Sequence, residues 1–261
     1  MNEPNQPQFP PPPPIISPQA NETVNVLGQN PEERIPIHGV IGAIEAMLRN
    51  PRRVLFQLGQ SGSGAVTFAL VLIAIVCSLV YGVVIGTFSG GDQLWAAPLK
   101  VCLGLFIAAL ICLPSLYIFA CLSGSQARLV EIAGMVAGLL ALMTVLLIGF
   151  APVAWVFSQS TESIAWMGAL HLVFALIALF FGFRFLQSGF VHSAAKSTIG
   201  FKMWTVVFLL VILQMSTALR PFVGTAETFL PTQKKFFLAH WEESMKKPKI
   251  VEASSEPSTR Y

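Results

Sequence analysis

Charge is what this sequence has least of. Only 11% of its 261 residues are Asp, Glu, Lys or Arg, where a soluble domain carries about a quarter. The deficit is concentrated in long charge-free runs, 54% of the chain is hydrophobic, and the mean hydropathy is +0.68. Runs of this kind exclude an ordinary soluble domain and mark an integral membrane protein. They also lack the apolar–polar alternation of a membrane β-barrel, so the spans are expected to be helices. The net charge of +3 is small, its placement matters more than its sum, and no nucleic-acid partner is expected.

Catalytic and metal-binding patterns are missing as well. The four cysteines, Cys77, Cys102, Cys112 and Cys121, show no CxxC spacing and have no neighbouring histidine, so they read as small packing residues rather than zinc ligands. There is no HExxH, no paired carboxylates and no nucleophile–base pair. GQSGSGAV places Gly59 and Gly64 at phosphate-loop spacing, but Ala65 and Val66 stand where lysine and Ser/Thr would hold phosphate and magnesium. The expectation is a protein without enzymatic activity, cofactor or metal. The opening MNEPNQPQFPPPPP has neither a basic n-region nor an apolar h-region, so no secretory signal is expected.

Five runs approach the roughly 20 apolar residues that cross a hydrocarbon core: Val66–Phe88, Val101–Leu122, Leu129–Phe157, Ile164–Phe183 and Met203–Leu219. The third is long enough to tilt, or to kink at Pro152. The expected fold is all-α, a polytopic bundle of five transmembrane helices with interfacial amphipathic helices. Its parts are a Pro-rich tail over 1–36, an amphipathic juxtamembrane segment over 37–65, the five-span domain over 66–221, and a tail with an amphipathic helix over 222–261.

Orientation follows the basic residues of the short connections. Arg49, Arg52 and Arg53 precede span one; Arg128 lies between spans two and three, and Arg184, Lys196 and Lys202 between four and five. The other side has Lys100 at a span edge, and SQSTES has no basic residue. The N-terminus is therefore expected in the cytoplasm and the C-terminus outside, although Arg220, Lys234, Lys235, Lys246, Lys247 and Lys249 weigh the other way. Arg49, Arg52 and Arg53 are the expected contacts to anionic headgroups, next to an amphipathic helix carrying Val40, Ile41, Ile44, Met47 and Leu48 and broken at Asn50-Pro51. Beyond span five, Phe237, Leu238, Trp241 and Met245 share one face of a second such helix.

Polar positions inside the spans are few. His171 is the only His, Asp, Glu, Lys or Arg deep in any run, and reads either as an interhelical hydrogen bond or as part of a transport site. Pro114 interrupts span two, kinking it for architecture or to shape a cavity with Ser115 and Tyr117. In QMSTALRPFVG, Gln214 donates to another span while Arg220 snorkels at the interface; the two together also read as one wall of an outer polar site. Gly82 and Gly86, like Gly134 and Gly138, are four apart and suit close helix approach, either internally or against a second copy.

Five spans, a Pro-rich N-terminus and short loops resemble the Yip-domain membrane proteins, linked in eukaryotes to Rab GTPases and vesicle traffic. ICLPSLYIFACLSGSQ, GFAPVAWVFSQST and QMSTALRPFVG are more closely similar to landmarks of bacterial five-span proteins loosely grouped with that fold. The likeness covers residues 66–224. The DLYGP-type stretch of the eukaryotic members is missing, so no Rab partner follows, and no functional residue carries over. The resemblance implies a bacterial inner-membrane scaffold or adaptor. FPPPPP, Phe9–Pro14, is either a polyproline ligand for a partner or a stiff spacer. The alternative is a small transporter or channel subunit for a neutral or lipid-like substrate.

Overall fold

A backbone surrounded by hydrocarbon must satisfy its N–H and C=O groups within its own segment, and every long apolar run here is helical. The structure, a computed structural model, describes residues 27–89, 93–161, 164–192 and 199–218. These form seven α-helices: α1 (Gly39–Arg49), α2 (Pro51–Leu58), α3 (Gly64–Ser89), α4 (Gln93–Leu122), α5 (Leu129–Ser160), α6 (Ile164–His192) and α7 (Ile199–Ala218). α3 to α6 contain 26 to 32 residues, about 39–48 Å at 1.5 Å per residue, beyond the roughly 30 Å of a hydrocarbon core. These four are long and apolar enough to cross a membrane, and α7 is a shorter apolar helix. FPPPPP, Arg220 and the Phe237–Met245 face lie outside the described residues.

The helices pack in the spatial order α6, α5, α3, α4, α7, which differs from their order in the chain. α5 is the most enclosed of the four long helices. An aromatic seam joins the ends of the row: Phe183 of α6 meets Trp204 and Phe208 of α7 edge-on at 6.3 and 5.9 Å, and Phe190 meets Phe201 at 5.4 Å. Close approach of α3 and α4 depends on Gly82, where a Cβ would come within 2.4 Å of the Pro98 Cα. Gly134 is covered by Leu58 and Thr67, Gly138 by the ring of Phe185, and Gly86 is buried. Gly82, Gly134 and Gly138 thus serve close packing within the chain.

Two helices run further than their apolar runs. α4 begins at Gln93 and not near Val101, so Lys100 lies seven residues inside it and is fully buried. α6 continues past Phe183 to His192, because Phe185, Leu186 and Phe190 remain buried against neighbouring helices. Arg184, read from the sequence as a loop residue, is therefore within a helix. Hydropathy follows side-chain chemistry, whereas a helix continues for as long as one of its faces is packed.

Residues 27–36, assigned from the sequence to the tail, pack on α2. Gly28 takes a positive φ of 86°, and a Cβ there would meet the ring of Phe56 at 2.5 Å. Pro31–Arg34 forms a short 3-10 turn with Glu33 buried. The break between α1 and α2 falls at Asn50, φ −143°, as the following proline requires.

Candidate functional site

Two polar assemblies stand out in an otherwise apolar molecule. The first ties the N-terminal segment to α2 on the side of the α1–α2 hairpin. Glu33, 1% exposed, accepts from Arg52 Nε at 2.6 Å and from the Gly28 backbone N–H. Arg34 Nε donates to the Gly28 carbonyl at 2.7 Å. Arg53 donates from Nε to the Ile35 carbonyl at 2.8 Å and from Nη2 to that of Pro36 at 2.9 Å. Gln57 accepts from the Ile37 N–H at 3.0 Å and donates to the Ile35 carbonyl. Side chains on an eight-residue helix thereby satisfy the Ile35 and Pro36 carbonyls and the Ile37 N–H of the segment beside it.

Burial pushes the Glu33 carboxyl upward, but the Arg52 guanidinium, the Gly28 N–H and the Asn30 side chain together bring it below its ordinary value of 4.5. Of the three arginines expected on lipid headgroups, Arg52 and Arg53 hold these protein partners. Arg49 pairs with Glu45 at 2.8 Å on an exposed face.

The second assembly is within the bundle. Tyr81 of α3, 3% exposed, shares a 2.8 Å hydrogen bond from Oη to Nδ1 of His171 on α6, 9% exposed, with the rings edge-to-face at 5.6 Å. Donation by the phenol satisfies its only hydrogen and leaves the imidazole proton on Nε2; the opposite assignment would orphan two groups. His171 Nε2 is buried and has no hydrogen-bond partner among the described residues. Gly82, next to Tyr81, lies on Pro98, so buried Lys100 belongs to the same region of the bundle. The Tyr81–His171 pair thus leaves one donor, the His171 Nε2–H, unused among the described residues.

The other sequence candidates do not join it. Pro114 is on an exposed face of α4, and Gln214 is exposed near the end of α7. Pro114 cannot donate to the Leu110 carbonyl four residues back. Independently of this, the Cys112 carbonyl accepts from Ser115 Oγ at 2.8 Å and from Trp204 Nε1 at 2.9 Å, which attaches α7 to this turn of α4. Sequence reasoning missed Tyr81, whose hydroxyl carries no charge to flag it, and misplaced Lys100, which stands at the edge of its apolar run.

No protein-family model, curated protein or solved structure matches this chain. Fold and composition define its class: a multi-pass, all-α membrane protein.

Proposed function

We propose that this protein is a non-enzymatic membrane scaffold or adaptor of Yip-like architecture, recruiting partner proteins through its N-terminal segment. The knot of Glu33, Arg52, Arg53 and Gln57 carries this reading. It holds the chain at residue 27 in one place on the bundle, and the sequence ahead of it carries FPPPPP, a preformed ligand for an aromatic groove. An anchored segment that follows a recognition motif in the chain keeps what the motif recruits within reach of the bundle. The distribution of basic residues supports a cytoplasmic N-terminus and an external C-terminus, and the five-span resemblance supports a bacterial inner membrane.

A photo-crosslinking residue at Phe9, in intact cells, tests the reading. A crosslinked partner that is lost on Pro11→Ala with Pro13→Ala, at unchanged membrane levels of the protein, supports it. Crosslinks indifferent to the prolines overturn it.

A second reading, a small transporter or channel subunit for a neutral or lipid-like substrate, is favoured by the unused His171 Nε2. Flux in proteoliposomes that is abolished by His171→Leu would select it.

A further inference from the structure

Beside the knot, the α1–α2 hairpin does not close completely onto the bundle. A groove of about 460 Å³ remains between it and the pair α5 and α6. Its two ends differ in chemistry. Arg52 of α2 and Arg184 of α6 line the end nearest the hairpin, with Met47 of α1 beside them. Phe181, Leu142 and Leu146 line the other end. Leu146 is seventeen residues into the 32-residue α5, which brings the apolar end to mid-helix.

Arg184 is the informative residue. It lies eight residues before the end of α6, about 12 Å along the axis, and its side chain is exposed on the outside of the bundle. It has no carboxylate partner among the described residues. α6 is longer than a hydrocarbon core is thick, so an exposed guanidinium this close to its end sits near headgroup level and suits an anionic group there. Its neighbour across the groove is a second guanidinium, held in place through its Nε by Glu33. Both guanidinium groups thus contribute positive charge to the groove lining.

We propose that the groove binds one anionic phospholipid of the leaflet next to the α1–α2 hairpin. The phosphate sits between Arg184 and Arg52, and an acyl chain lies along Phe181, Leu142 and Leu146. Guanidinium groups suit a phosphate because they donate in a fixed fork. The apolar extension selects a lipid over a free phosphate, since only a lipid has a chain to bury there. The positive charge of the two groups selects an anionic headgroup over a zwitterionic one.

The test uses the purified full chain in detergent, with native mass spectrometry and thermal unfolding. The probes are phosphatidylglycerol, phosphatidylcholine of the same acyl chains, and glycerol phosphate. Phosphatidylglycerol is expected to remain bound and to raise the unfolding midpoint, and the other two to do neither. Arg184→Gln should weaken its binding about fivefold. Leu146→Trp, which fills the apolar end, should also weaken it. Equal retention of the two lipids overturns the proposal, as does stabilisation by glycerol phosphate equal to that by phosphatidylglycerol. Because the lipid comparison is made on the unaltered chain, instability of either variant leaves the result decisive.

Discussion

Tyr81 and His171 are ninety positions apart in the chain and share a 2.8 Å hydrogen bond that ties α3 to α6. The bond joins two helices that otherwise face each other across α5, which packs against both. Tyr81→Phe should therefore lower stability by about 0.6–1.7 kcal/mol, the range found for polar pairs between membrane helices. His171→Phe should cost a similar amount, and the double variant less than the sum of the two. Unfolding in mixed micelles would measure the cycle. Strict additivity would show that the two groups do not interact.

Close contact between α3 and α4 depends on one hydrogen atom. Gly82→Ala introduces a Cβ at 2.4 Å from the Pro98 backbone, where no flexible side chain can give way. The expected loss is about 1–3 kcal/mol. Gly149→Ala, where nothing lies within 4 Å, is the matched control and should be near neutral or slightly stabilising. Thermal unfolding of the two variants side by side checks this.

The knot on α2 should loosen in acid. The folded-state value of Glu33 is below 4.5, so its contribution is fully present above that value. It is lost as the pH falls through the lower, folded-state value. Amide exchange over residues 27–37, followed from neutral pH downward, should show protection falling in that window after correction for the intrinsic rate. Glu33→Gln should be less protected at neutral pH and should lose this pH dependence. An unchanged profile in the variant would place the titrating group elsewhere.

The orientation proposed from basic residues makes a direct prediction for labelling. In a background lacking Cys77, Cys102, Cys112 and Cys121, a cysteine at Gln126 should react with an impermeant maleimide only after the inner face is opened. A cysteine at Gln159 should react in intact cells. Both positions are exposed; Gln126 precedes α5 by three residues and Gln159 lies in its last turn. The reverse pattern would put the N-terminal proline stretch outside the cell and remove the cytoplasmic adaptor role.

Much of this molecule follows from its sequence alone. Long apolar runs in lipid have one local solution, the helix, so the helical class and the approximate position of the apolar helices were legible, as was the break at Asn50-Pro51; of the five expected spans, four have the length to cross a membrane and α7 is shorter. Local rules also picked out His171, because charge-capable groups are scarce enough to be conspicuous. Only the tertiary structure decided which helices are neighbours, since uniformly apolar helices bear no stripe that points to a partner. It alone paired His171 with Tyr81, turned Arg52 and Arg53 onto the segment before α1, buried Lys100 and set Arg184 into the wall of a groove. A span boundary read from hydropathy ends where the side chains change, but the helix ends where packing and backbone hydrogen bonding stop. The residues between those two points are the ones whose surroundings the sequence cannot specify.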